Sequence, residues 1–418
     1  MPPIQSIRYI PVIDKKSTAD KQLDSTLVDK VLELDAKRRA IIGNTDDIRK
    51  AANEFQSGIK GKPTPEQIEQ GKKFKEELSK LEPENAKIED EYKSIMLQIP
   101  NPPAADVPIG KDENGNVEIR KVGNIPNFSF TPKAHEQLAE NLDLYDSKHA
   151  VKIGGTRSYF LKGDLVLLEQ AVLNFALDFM VKQDFTPMTV PWMVNKEALW
   201  GTGYFPWGIE DHYTTQDGQG LIGTSEVSLT AYHQNEVLDE KDLPIKYIGI
   251  SPCFRREVGT YGKDSKGFIR VHQFNKVEQV VLTVADEEET RVWHEKMLGF
   301  SEQILNELKL SYRVLLMCTG DMGAGQRKKY DIETWFPSQN IYRETHSASY
   351  FNDFQSRRLN IKYRAKDGTT KYVYTLNNTV IATPRLLAAI LENYQQEDGS
   401  IIIPEVLQKY MDKKVIDK

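Results

Sequence analysis

SPCFRREVGTYGKDSKGFIRVHQFNKVEQVVL, residues 251–282, is the densest run of reactive and charged side chains in this 418-residue chain. Its pattern reads as strand, loop, strand. Arg255, Arg256 and Glu257 close the first strand, a loop with Gly259, Gly262 and Gly267 carries Lys263, Lys266 and Arg270, and His272 to Glu278 open the second. Alternation puts Arg255 and Glu257 on one face. An arginine so placed suits a bidentate grip on phosphate or carboxylate, and a cationic loop suits an anionic partner. Taken alone, the same Arg and Glu read more readily as partners for each other.

Around this stretch, helical spacing at Leu165, Leu168, Val172, Phe175 and Phe179 mixes with strand-like runs LPIKYIGI (243–250), QVVLTV (279–284) and LSYRVLLM (310–317). The two periods do not alternate strictly, which predicts an α+β fold on a mostly antiparallel sheet flanked by helices. Upstream, QIPNPPAADVPIGKDENGNVEIR, residues 98–120, breaks the helical pattern with four prolines. The expected division is therefore an arm at 1–100, a linker at 101–120 and a catalytic domain at 121–418.

In the arm, Leu27, Val31, Leu34, Arg38, Ile41, Thr45, Ile48, Ala52 and Phe55 step by fours and threes. Phe74, Leu78, Leu81, Asn85, Ile88, Tyr92 and Ile95 repeat the spacing, with SGIKGKPTPE between the two sets. Two heptad stripes about a Gly/Pro turn predict an antiparallel coiled coil whose helices, at about 30 residues each, are about 45 Å long. Pro83 lies inside the second stripe and is expected to kink the helix or interrupt its hydrogen bonds.

The formal net charge of -6 does not advertise nucleic-acid binding. Resolved along the chain, residues 1–100 are balanced at 18 basic and 18 acidic, and the whole acid excess lies beyond them. Arg49 to Lys75 carries seven basic residues against three acidic, so the tip of the arm is +4. Such a run also reads as the solvated face of a coiled coil, but a positive tip on an acidic body suits a rod-like polyanion such as RNA. Cys253 and Cys318 form no CxxC pair, which predicts neither a disulfide framework nor a zinc site and points to a reducing, cytoplasmic setting. No apolar run approaches a membrane span or a signal peptide, so no membrane partner is expected.

Residues 251–282 resemble motif 2 of class II aminoacyl-tRNA synthetases, an FRxE followed by a loop and a Phe-bearing strand, and more narrowly that of seryl-tRNA synthetases of bacterial type. The remaining pieces stand in the family's order. TGYFPWGIEDHY (202–213) leads to GTSE (223–226), similar to the TxE motif, and ETHSASYFNDFQSRRLNIKYR (344–364) resembles the ExxS segment. TLNNTVIATPRLLAAILENYQQEDGSIIIPEVLQKYM (375–411) resembles motif 3, and the helix at 165–181 running into TPMTVPWMV with Pro191 stands where motif 1 belongs.

The resemblance implies serine activation by ATP to seryl adenylate, then transfer to the 3′ end of tRNA(Ser), with tRNA(Sec) as a further acceptor. It places Arg255 and Arg385 at the reaction, and Thr224, Ser225, Glu226, Glu278 and Thr379 at serine. ATP falls to Arg255, Arg256, Glu257, Phe274, Glu344, Thr345, His346, Ser347 and Arg385, with Mg²⁺ on Glu344 and Ser347. It also implies a homodimer with motif 1 at the interface, and tRNA gripped by the arm, for which the tip residues Lys60, Lys62, Lys72 and Lys73 are the candidates. Length leaves no space for a separate anticodon or editing domain. On helix physics, Thr383 is the expected N-cap, with Pro384 in the first turn and Arg385 at the positive end of the dipole. Where the family commonly has Asn-Gly, this chain has Asn377 and Asn378, so a positive φ at Asn378 is expected if the glycine was required. A threonine- or proline-specific class II enzyme, and a non-catalytic RNA-binding relative, are the competing readings.

Overall fold

The computed structural model describes residues 2–259 and 267–418. Gly262, Lys263 and Lys266 of the expected cationic loop lie outside the described residues. The chain forms two compact units, Met1–Pro102 and Pro103–Lys418.

The first unit is built on two 32-residue helices, α3 (Thr26–Ser57) and α4 (Pro65–Met96), preceded by the short α1 (Ile4–Tyr9) and α2 (Pro11–Asp20). Every position of the two heptad stripes is buried or half-buried. Phe55 meets Phe74 edge-on at 5.9 Å beside the turn, while Arg38 bonds Glu89 far from it, so the helices run antiparallel as the stripes require. The turn is set by local chemistry. Gly61 adopts φ +98°, and Thr64 and Gln67 form a reciprocal capping box with Pro65 in the first turn. α4 continues through Pro83 without a break, although proline has no N–H to offer the Ser79 carbonyl.

The proline-rich start resolves into helix starts: Pro3 is the N-cap of α1 and Pro11 occupies the first turn of α2. Ile7 of α1 joins Val28, Val31, Leu34, Tyr92, Ile95, Met96 and Ile99 in one apolar cluster. Arg8 clamps the fully buried Asp35 through both its carboxylate oxygens, at 2.6 and 2.7 Å, and Arg39 adds a third bond at 3.0 Å. Burial raises the pKa of Asp35, but these guanidinium bonds outweigh it and hold the carboxyl below its ordinary value.

The second unit carries an eight-stranded sheet. Its strands in chain order are β1 (Val117–Val122), β2 (Thr186–Thr189), β3 (Ile245–Phe254), β4 (Gln273–Thr283), β5 (Tyr312–Leu316), β6 (Lys328–Phe336), β7 (Ile341–Asn352) and β8 (Tyr374–Ala382). They are ordered β1-β5-β6-β7-β8-β4-β3-β2, antiparallel throughout except for the parallel edge pair of β2 and β3. This is the α+β architecture that the mixed periods predict. The expected linker does not stand free. Residues from Pro103 belong to the second unit, β1 begins at Val117, Asp106 pairs with Lys328 at 2.7 Å, and Asn116 accepts the Cys318 N–H at 2.9 Å.

Both faces of the central strands are covered. On β4, Val277 and Val281 enter one apolar core with α5 (Asp164–Val181), α7 (Glu287–Glu307) and α9 (Thr383–Tyr394). Val280 and Leu282 point into a second core on the opposite face, beside α6 (Glu226–Ala231) and α8 (Phe354–Leu359). His294 of α7 is buried against the sheet, with Nε2 donating to the Ala348 carbonyl at 3.0 Å and the ring stacked on Tyr330.

Burial pulls the pKa of His294 down to about 4 despite that hydrogen bond. A depressed folded value means stability that is complete above the unfolded pKa near 6.5 and is lost as pH falls toward 4, roughly 3 kcal/mol in all. His294→Gln keeps a donor for Ala348 and removes the titration. Its urea midpoint is expected to fall less than that of the native protein between pH 7.5 and pH 4.5. Parallel falls would show that His294 is not the group responsible.

Candidate active site

A cleft of about 250 Å³ opens on the sheet face shared by Val280 and Leu282. The sheet ladder sets the positions of Glu278, Thr379 and Ser347 in its lining. Glu278 of β4 pairs with Thr379 of β8, and Ser347 of β7 pairs with Asp331 of β6. Glu344 and Ser347 lie three apart, a spacing that on a regular strand sends side chains to opposite faces. A register shift opposite Ile332 and Glu333 inserts Thr345 as an extra residue, and Glu344 and Ser347 both line the cleft.

Arg255 follows the last residue of β3. Its backbone is fixed by a two-way exchange with His272, N–H to carbonyl at 2.9 Å and carbonyl to Nδ1 at 3.0 Å. Its guanidinium lies 5.3 Å over the Phe274 ring and reaches the Gly223 carbonyl at 3.5 Å, leaving most of its donors directed at the cleft. Glu257 is not brought to Arg255 by strand alternation, because β3 ends at Phe254 and Glu257 sits at φ +54°. Its carboxylate pairs instead with Arg270 at 2.7 Å, and both residues line the cleft. Arg256 is exposed, donates to the Glu210 carbonyl at 3.0 Å and does not line the cleft.

Arg385 stands in the first turn of α9, whose N-cap is Ala382. Thr383 is the first helical residue, and its hydroxyl accepts the Asn275 N–H from β4, so the expected Thr383 cap is replaced by a strand-to-helix tie. The Arg385 guanidinium donates to Glu344 twice, to the carbonyl at 2.8 Å and to Oε2 at 3.0 Å. Burial alone would raise the Glu344 pKa, but Arg385, Lys329 and Arg255 hold it well below the ordinary carboxylate range. Thr345 and His346 border the cleft, but the Thr345 hydroxyl is engaged by Thr334 at 2.7 Å. Burial keeps His346 neutral, with its pKa lowered to about 4.

Glu226, Glu278, Lys276, Asn377 and Thr379 converge on the same cleft. Lys276 and Glu278 form a buried pair at 2.7 Å. Burial and the Glu278 charge push Glu226 above its ordinary pKa, opposed by hydrogen bonds from Tyr204 and Gln355. Two carboxylates and one ammonium leave a single negative charge, which a substrate ammonium would neutralise. Thr224 backs this wall, its hydroxyl accepting the Glu226 N–H at 3.3 Å. Ser225 is fully buried, bonds the Gly249 carbonyl of β3 and does not line the cleft.

Asn378 has no positive φ. It is an ordinary β8 residue facing α7, where its amide donates to the Met297 carbonyl at 2.7 Å and the Ser301 hydroxyl at 2.8 Å. An asparagine amide here fastens helix to sheet, and glycine could not supply it. Lys329 and Tyr204 line the cleft without having been singled out in the sequence, and Lys329 pairs with the buried Asp331 at 2.9 Å beside Ser347. Lys329 and Asp331 could have been sought as a period-2 charge pair on a strand, but Tyr204 carries no such signal. Among the described residues, no three potential protein ligands cluster as a closed metal site, and both cysteines are buried free thiols.

Residues 3–103 match the seryl-tRNA synthetase N-terminal domain, and residues 211–394 match the tRNA synthetase class II core domain of the G, H, P, S and T group. A serine–tRNA ligase of Deinococcus radiodurans is 43% identical over 93% of this chain and 90% of its own, and one of Nitrosopumilus maritimus 42% over 92% of each. Among solved structures, a seryl-tRNA synthetase from Pyrococcus horikoshii complexed with ATP superposes with a TM-score of 0.93 at 39% identity, covering 100% of this chain and 99% of that one. A prolyl-tRNA synthetase of Giardia lamblia shares the fold alone, with a TM-score of 0.58 at 17% identity. With that likeness running from the heptad arm through the cleft, the chain belongs to the seryl-tRNA synthetases, the class II enzymes that join serine to tRNA with ATP.

Proposed function

We propose that the cleft makes seryl adenylate with a division of labour set by its charges. Serine lies over the Glu226, Glu278 and Thr379 end, with its ammonium supplying the missing positive charge and its carboxylate toward Arg255. ATP occupies the other end, its adenine against Phe274 with the amino group toward Glu257, and its phosphates toward Arg385. Arg255 bridges the two anions and stabilises charge on the α-phosphate as the serine carboxylate attacks and pyrophosphate leaves. The observation that carries this reading is the convergence on one cleft of Arg255 and Arg385 with Glu226, Glu278 and Thr379.

The ionised Glu344 and the Ser347 hydroxyl, brought to one side by the bulge, are oxygen donors that fit Mg²⁺. Two protein oxygens suit an ion whose remaining shell comes from ATP phosphates and water, and which when bound neutralises phosphate charge. Lys60, Lys62, Lys72 and Lys73, all exposed at the turn end of the first unit, are proposed to hold the phosphates of tRNA(Ser). By analogy with the family, tRNA(Sec) is proposed as a further acceptor, together with a cytoplasmic setting and a homodimer with α5 at its interface. Among the described residues no helix is long and apolar enough to cross a membrane.

ATP–pyrophosphate exchange with serine, threonine, proline and alanine in parallel tests the assignment. Serine alone is expected to support rapid exchange. Alanine is expected to be poorer by on the order of 10⁴-fold, because polar groups built for a hydroxyl would be left unpaired. Threonine or proline exchanging as fast as serine would overturn it.

A further inference from the structure

Gln355 lies on α8, is 1% exposed and does not line the cleft, yet it touches a residue that does. Its Nε2 donates to Glu226 Oε1 at 2.8 Å and to the Thr202 carbonyl at 3.0 Å. Its own oxygen accepts from the Thr375 hydroxyl at 2.6 Å. The amide has one workable orientation, since turning it over would set its oxygen against a carboxylate and a carbonyl at once, and the Thr375 hydroxyl reinforces that choice from β8. On the other side, the Tyr204 hydroxyl donates to Glu226 Oε2 at 2.7 Å. Each carboxylate oxygen of Glu226 therefore has one donor from the protein, and its remaining acceptor capacity is left for the cleft that Tyr204 and Glu226 both line.

We infer that Gln355, oriented by Thr375, is a positioning residue for serine recognition: it holds the Glu226 carboxylate in the orientation in which its free lone pairs face the substrate. The inference rests on the reading of Glu226 as a serine-contacting acid. Any buried amide needs partners, so the weight lies on where these bonds lead: the chain begins on β8 two residues before Asn377 and four before Thr379 and ends on Glu226, and those three residues line the cleft. Glu226 is buried and close to the like-charged Glu278, so its orientation depends on donors that bond it from behind. Gln355 and Tyr204 are those donors, and only Gln355 has its own orientation locked by a third side chain.

Three variants separate the possibilities in serine-dependent ATP–pyrophosphate exchange. Gln355→Met keeps the volume and removes the amide. It is expected to raise the serine KM roughly 10- to 100-fold, the span of one hydrogen bond to a charged group, with the ATP KM unchanged within about twofold. Thr375→Val is isosteric and is expected to move the serine KM in the same direction by roughly three- to tenfold, since it frees the amide without removing it. Should Gln355→Met fold poorly, Thr375→Val decides alone. Glu226→Gln tests the reading beneath: if it leaves the serine KM unchanged, that reading fails. If it raises the serine KM while neither Thr375→Val nor a folded Gln355→Met does, the positioning role is overturned and the serine site stands. A fall in kcat with both KM values unchanged, or an equal rise in the ATP KM, would likewise overturn positioning in favour of a purely structural glutamine.

Discussion

Replacing Arg255 with alanine is expected to lower kcat/KM for serine-dependent ATP–pyrophosphate exchange by about 10³-fold, the loss associated with removing a preorganised donor from a developing anion. The physical reason is specific to where this side chain stands. Its backbone is locked to His272, its guanidinium rests against Phe274, and Gly223 engages it only at 3.5 Å, so its remaining donors face the place where two anions must meet. Because that charge exists only as the reaction proceeds, kcat and kcat/KM are expected to fall together while ATP binding to the resting enzyme changes little. Arg255→Lys keeps the charge and loses the planar fork, and an intermediate loss of about 10²-fold is expected. If Arg255→Ala raised only the ATP KM, the residue would be an ATP anchor and its place between the substrates would be wrong.

Reversing Lys60, Lys62, Lys72 and Lys73 to glutamate is expected to raise the tRNA KM for aminoacylation by on the order of 10²-fold or more, and to make the log–log dependence of tRNA affinity on salt shallower by about 3. Exchange with serine and ATP is expected to persist within about twofold, because the cleft is built wholly within the second unit. The four lysines are exposed on either side of the Gly61 turn, and among the described residues only Lys73 of the four has an acidic neighbour in range, Glu69 at 3.8 Å on the same helix. Such a pair is worth little and does not compete with a phosphate. An unchanged salt slope with a raised KM would mean that the lysines act on something other than phosphate charge. Loss of exchange would mean that the reversal damages the cleft.

Much of this molecule is legible along the chain because the relevant chemistry is local. A heptad stripe is a property of consecutive residues, so Val31, Leu34, Ile41, Tyr92 and Ile95 identify the buried seam before any coordinates are known. The same holds for the Gly/Pro turn between the stripes and for Arg385 one residue after a proline. Local reading failed where the outcome depended on a neighbour distant in sequence. Ser225 precedes the cleft residue Glu226 yet bonds Gly249 of β3, and Arg256 sits between two cleft residues yet reaches out to Glu210. Asn378, where a positive φ was expected if the family's glycine was required, is instead a regular strand residue tied to α7. Asp35 would be a surface carboxylate on α3 were it not covered by Arg8 from α1, a partner 27 residues away.

The helical arm with its basic turn and the α+β class are therefore readable from the chain alone, since each rests on periodicity, composition or a contiguous pattern. The tertiary structure alone decided which of the candidate site residues share a cleft. Glu344 and Ser347 face the same side only because a bulge shifts the register of β7 against β6, and Glu278 meets Thr379 only through the pairing of β4 with β8. Glu226 is aimed by Gln355 and Thr375, more than a hundred residues further on. Strand register and cross-element hydrogen bonds are relations between distant segments, and a linear pattern of side chains does not contain them.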